Sequence, residues 1–79
     1  MLIEIYGTTN CTFCKQAVEL CKAADLLYKY TDLVTYPEAL EELEQKIGRF
    51  KTVPQIFING DHVGGFSELK EAMKNDNYN

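Results

Sequence analysis

Cys11 and Cys14, in the stretch Cys11-Thr12-Phe13-Cys14, are the residues of this chain best able to do covalent chemistry. A thiolate attacks disulfide sulfur, and a second thiol held nearby can displace whatever the first has captured. The same spacing also suits metal, with thiolate sulfurs about 2.3 Å from a zinc ion. Cys21 and the single histidine, His62, would complete a four-ligand count. Geometry opposes that reading. On one helix, Cys14 and Cys21 share a face but stand about 10 Å apart along the axis. A single ion cannot hold both, so redox chemistry is favoured and no metal is expected. Cys21 then reads as a small core residue, and His62 as a hairpin residue.

The elements around the pair give it meaning. Leu2–Tyr6 reads as a strand with Ile3 and Ile5 on one face. The polar run Gly7-Thr8-Thr9-Asn10 ends it, and a helix is expected over Thr12–Ala24. Its apolar stripe is Phe13, Ala17, Leu20 and Ala24, widened by Val18 and Cys21. Cys11 therefore stands at a helix N-terminus, where unpaired N–H groups and the positive end of the helix dipole favour thiolate over thiol. Lys15 adds positive charge. Cys11 reads as the nucleophile, and Cys14, one turn inside, as the less exposed resolving thiol.

Leu26–Leu33 is expected to form a second strand. Thr35 and Glu38 match a capping box, with Pro37 in the first turn of a helix running to Ile47. Leu40, Leu43 and Ile47 form its stripe, and Gly48 stops it. Pro54 opens a third strand, Gln55–Ile58. Asn59-Gly60 is a two-residue hairpin turn into a short fourth strand at His62-Val63. Ser67 is expected to cap a last helix with Leu69, Ala72 and Met73 inward. The order is βαβ, α, ββ, α. The fold class is α/β, a mixed four-stranded sheet with helices on both faces, in one domain over residues 1–79.

Composition narrows the function. The 79 residues are 46% hydrophobic and 25% charged, which argues against a disordered chain. The net charge of −4 and the lack of a Lys/Arg cluster argue against a nucleic-acid partner. No apolar run approaches the roughly 18 residues of a membrane span, so no membrane partner is expected. Met1–Tyr6 carries Glu4 and no basic region, unlike a signal peptide. Three cysteines do not make a paired secreted framework. The expected location is cytoplasmic.

Three motifs, in order, resemble the glutaredoxin family of the thioredoxin superfamily: Cys11-Thr12-Phe13-Cys14, Thr52-Val53-Pro54 leading into Gln55-Ile56-Phe57-Ile58, and Gly64-Gly65-Phe66-Ser67. The resemblance covers essentially the whole chain, and the small size is similar to bacterial and bacteriophage members. It implies a thioredoxin-like fold and a monomeric dithiol–disulfide oxidoreductase using glutathione as reductant. It also implies a cis Val53–Pro54 bond, whose Val53 backbone would pair with an extended thiol substrate. Thr52, Val53, Pro54, Gly65, Phe66 and Ser67 would hold glutathione, its γ-glutamyl carboxylate at the helix N-terminus of Phe66 and Ser67. Lys51 is preferred over Lys15 and Arg49 for the glycyl carboxylate. The implied clients are protein disulfides, glutathione mixed disulfides and ribonucleotide reductase. A redoxin recharged by thioredoxin reductase and a [2Fe–2S] cluster carrier are the alternatives; Cys14 argues against the carrier, because an intramolecular disulfide competes with the cluster. Thr12-Phe13 stands where many members have Pro-Tyr, and Thr8 where many have lysine.

Overall fold

Alternation in Leu-Ile-Glu-Ile-Tyr-Gly makes β1 (Leu2–Gly7), with Ile3, Ile5 and Gly7 buried and the residues between them more open. A computed structural model describes residues 1–74. Along the chain, β1 is followed by α1 (Thr12–Ala23), β2 (Leu27–Asp32), α2 (Pro37–Ile47), β3 (Gln55–Ile58), β4 (Asp61–Gly64) and α3 (Phe66–Lys74). The sheet order is β2-β1-β3-β4. β1 runs parallel to β2, with Ile5 opposite Tyr30, and antiparallel to β3, with Ile5 opposite Ile56. The β3–β4 hairpin turns at Asn59 and Gly60, both with positive φ (51° and 89°), the conformation that a two-residue primed turn requires. The sequence expectation of a mixed sheet stands. No helix among the described residues is long and apolar enough to cross a membrane.

The two faces of the sheet are packed by different helices. Ile3, Ile5, Ile56 and Ile58 point to one face and are fully buried with Ala17 and Cys21 of α1 and Leu69 of α3. Burying each isoleucine contributes about 1.5–3 kcal/mol. Phe57, pointing the other way, is buried with Leu33 and with Leu43 of α2. β3 is thus covered on both faces, which suits a run of four consecutive buried residues.

Several local expectations are corrected. Phe13 is 58% exposed, and the buried residues of α1 are Cys14, Ala17 and Cys21. The helix is rotated so that a cysteine faces the core and the aromatic ring faces out. Ala24 lies just past the helix end. β2 begins at Leu27 rather than Leu26, and β4 extends to Gly64. Leu40 is 38% exposed, and Ala39 packs inward instead. The capping box at Thr35 does not form: Tyr36 is the N-cap of α2 and makes no side-chain cap bond. Asp32 instead holds the turn that precedes the helix, accepting the N–H groups of Val34 and Thr35 at 2.8 and 3.2 Å. Ser67 is not the cap of α3, which begins one residue earlier. Gly65 accepts the Leu69 N–H at 3.0 Å, and its own N–H donates to Glu68 Oε1 at 2.7 Å.

Candidate active site

Cys11 ends the loop after β1 and is the N-cap of α1, in extended conformation (φ −122°, ψ 112°). Its sulfur accepts the Cys14 backbone N–H at 3.2 Å, where a serine or aspartate oxygen ordinarily sits. The Cys11 and Cys14 sulfurs are at disulfide distance, with Cα atoms 5.2 Å apart, inside the span a disulfide bridges. Cys14 is 1% exposed and Cys11 half-buried, so an incoming molecule reaches Cys11 first. α1 runs unbroken from Cys14 to Cys21. Cys21 is buried in the core, and burial pushes its thiol pKa up. Among the described residues, no three His, Cys, Asp or Glu side chains are placed to hold a metal ion.

A groove opens beside Cys11. The Val53 carbonyl oxygen lies 3.9 Å from the Cys11 sulfur, and the Val53–Pro54 bond is cis. The groove has a volume of about 170 Å³ and is lined by Phe13, Thr52, Val53, Pro54, Gly65, Phe66, Ser67 and Glu68. Phe13 and Phe66 form one wall, with ring centroids 6.2 Å apart. A Cβ on Gly65 would stand 3.3 Å from Glu68 Oε1 and in ordinary contact, at 3.5 Å, with the Pro54 carbonyl oxygen. Six of the sequence-predicted residues, Thr52, Val53, Pro54, Gly65, Phe66 and Ser67, thus come together. Lys51 does not; it is exposed and outside the groove lining.

Sequence reasoning missed four residues. Glu68 lines the groove and places its carboxylate at the start of α3, where Oε1 accepts the Gly65 N–H. Its position three after Gly65 is the back-reaching half of a capping box, and that spacing was readable. Gln55, a buried polar residue, donates from Nε2 to the Thr52 carbonyl at 2.9 Å and accepts from His62 Nε2 at 2.8 Å. It ties the groove loop to the hairpin. Gly7 allows a close approach, because a Cβ there would lie 2.5 Å from the Cys14 sulfur. Asp32 accepts the Thr9 hydroxyl at 2.5 Å. That bond, with the Val34 and Thr35 N–H groups, holds its carboxyl below the usual carboxylate range, against an opposing effect of burial.

A half-buried sulfur paired with a fully buried one, beside the Val53 carbonyl at the cis proline, is suited to thiol–disulfide exchange. Comparison with known proteins agrees. The family model described as Glutaredoxin matches residues 3–63. The chain belongs to the glutaredoxin family. Glutaredoxin 1 of Escherichia coli K12 is 32% identical over 80 residues, covering 94% of each chain. The Vibrio cholerae glutaredoxin is 35% identical over 80 residues, covering 94% of this chain and 92% of its own. Reduced Escherichia coli glutaredoxin superposes with a TM-score of 0.82 at 30% identity, covering 96% of both chains. A buckwheat glutaredoxin–glutathione complex superposes at 0.79 with 26% identity, over 94% of this chain and 69% of that one. As a glutaredoxin with a paired Cys11 and Cys14, this chain is a thiol–disulfide oxidoreductase of thioredoxin-like fold.

Proposed function

We propose that this glutaredoxin reduces protein disulfides and glutathione mixed disulfides with glutathione as electron donor, as a cytoplasmic monomer acting through one domain, residues 1–79. The observation that carries the reading is the groove of Thr52, Val53, Pro54, Gly65, Phe66 and Ser67 beside the Cys11 sulfur. Its size and the Val53 carbonyl beside the Cys11 sulfur suit a short peptide thiol, and the fold of the buckwheat glutathione complex is the same. The Phe66 and Ser67 N–H groups, at the start of α3, suit a carboxylate. Glu68 suits the ammonium group of a zwitterionic ligand end. Lys51 has no part in the groove lining, and the glycyl carboxylate then meets solvent or a mobile side chain.

In this reading the Cys11 thiolate attacks the glutathione sulfur of a mixed disulfide. The Cys11–glutathione bond forms, the bond to the substrate sulfur breaks, and the substrate takes up a proton and leaves as a thiol. A second glutathione then attacks the Cys11–glutathione bond, releasing oxidised glutathione and free Cys11. With a protein disulfide, Cys14 displaces the tethered client, leaving a Cys11–Cys14 disulfide that two glutathiones reduce. Ribonucleotide reductase is the client class proposed from the family.

The test couples turnover of a small glutathione mixed disulfide to NADPH through glutathione reductase. Turnover proportional to free glutathione is expected. Reduction of the Cys11–Cys14 disulfide by thioredoxin reductase, with none by glutathione, would replace the donor assignment. A brown dimer on anaerobic purification would favour a [2Fe–2S] carrier.

A further inference from the structure

β2, an edge strand of the sheet, holds the loop that carries Cys11 at two successive points. The Tyr30 hydroxyl donates to the Thr8 carbonyl at 2.7 Å. Asp32 accepts the Thr9 hydroxyl at 2.5 Å. Tyr30 and Asp32 are two apart on a strand, so their side chains leave from one face. The phenol end of Tyr30 also closes the space beside Cys14. A Cβ on Gly7 would lie 2.5 Å from both the Tyr30 hydroxyl oxygen and the Cys14 sulfur. Those two atoms are therefore no more than twice that distance apart. Burial, then the Asp32 charge, raise the Tyr30 pKa, so the phenol stays a donor at neutral pH.

The geometry points to Tyr30 as a positioning residue for the redox pair: by holding the Thr8 carbonyl, it sets the loop so that Cys11 meets the Cys14 sulfur. This rests on Cys14 being the resolving thiol. In that step the Cys14 thiolate attacks the Cys11 sulfur of a mixed disulfide. The Cys11–Cys14 bond forms and the bond from Cys11 to the client sulfur breaks. The client sulfur leaves with the electron pair and takes up a proton, matching the one Cys14 lost. The tether does most for the oxidised form. There the disulfide already orders the loop, and the Tyr30 bond forms at little further entropic cost. In the reduced form the same bond must order residues 8–10 by itself. Disulfide and tether therefore reinforce one another.

The experiment equilibrates wild-type protein and Tyr30→Phe in buffers of reduced and oxidised dithiothreitol. The disulfide fraction is read by alkylation and mass. Tyr30→Phe keeps the ring packed and removes only the hydroxyl. Its equilibrium constant for disulfide formation is expected to fall about three- to tenfold, the span of one lost hydrogen bond; tenfold is about 30 mV for this two-electron couple. Tyr28→Phe, losing a hydroxyl two residues earlier on the same strand, should stay within about twofold, well inside the scatter of neutral surface changes. An unchanged equilibrium in folded Tyr30→Phe overturns the proposal, as does an equal fall in Tyr28→Phe. If Tyr30→Phe does not fold, Thr9→Val removes the second tether of the same loop. It must move the equilibrium in the same direction, and no movement there overturns the tethering role. Wild-type protein that forms no Cys11–Cys14 disulfide in any buffer overturns the dithiol reading itself.

Discussion

The Cys14 backbone N–H points at the Cys11 sulfur from 3.2 Å, so the turn that carries the buried thiol also supplies a hydrogen bond to the more accessible one. Such a bond, at the positive end of α1, stabilises negative charge on sulfur. In reduced protein, Cys11 should alkylate with iodoacetamide at pH 6.5 at least about tenfold faster than free cysteine. Cys21, buried and with its thiol pKa pushed up, should stay unlabelled until the protein unfolds. Equal labelling of the two under native conditions would contradict the site geometry.

Gly7 meets two partners at once. A Cβ there would lie 2.5 Å from the Cys14 sulfur and 2.5 Å from the Tyr30 hydroxyl. Gly7→Ala should force one of them aside, destabilising the fold by about 1–3 kcal/mol as overpacking does. Denaturant unfolding of reduced protein measures the loss. The Cys14 sulfur should also become easier to alkylate. A variant as stable as wild type would mean that the β1 end yields more readily than its contacts suggest.

Asp32 makes a pH-dependent contribution with a definite sign. Its folded pKa lies below the ordinary value, chiefly through the Thr9 hydroxyl, with the Val34 and Thr35 N–H groups adding to it. A carboxyl depressed on folding adds stability above its unfolded pKa, about 4, and loses it as pH falls through the folded pKa. Asp32→Asn should therefore lower the Tm at pH 7. The gap to wild type should close as pH falls below about 4. A constant gap down to pH 2 would show that the lost stability is packing and not charge.

The periodic parts of this fold were legible in the sequence, and the parts set by tertiary packing were not. Ile3 and Ile5, the Asn59-Gly60 turn and the helix start at Thr12 follow from local chemistry, and the structure has them. The rotation of α1 did not follow. Phe13 and Cys14 are adjacent and both apolar, and only the covering of the sheet decides that the smaller one is buried. Thr35 does not cap α2, because the helix starts at Pro37 with Tyr36 as its N-cap, while Asp32 of the preceding strand ties down the turn before it through the Val34 and Thr35 N–H groups. At the candidate site, the cysteine spacing and the Thr-Val-Pro and Gly-Gly motifs located the groove. Gly7, Gln55 and Asp32 act through contacts across the fold, which spacing along the chain does not encode.

The two cysteines should separate two activities. A glutathionylated small substrate needs one nucleophile, because free glutathione can clear Cys11. A protein disulfide leaves the client tethered to Cys11, and release is fastest when the next thiol is already in place at high effective concentration. Cys14 is that thiol, with its Cα 5.2 Å from that of Cys11. Cys11→Ser should abolish both activities. Cys14→Ser should keep deglutathionylation and lose protein-disulfide reduction by about tenfold or more, with mixed disulfides accumulating on non-reducing gels. Cys21→Ser should leave both rates near wild type. It should cost about 1–3 kcal/mol of stability, since a hydroxyl replaces a sulfur that is fully buried in the main core. Full protein-disulfide reduction by Cys14→Ser would mean that glutathione, not the buried thiol, releases the client. Loss of deglutathionylation in a folded Cys21→Ser protein would give the core cysteine a part in the chemistry that its burial opposes.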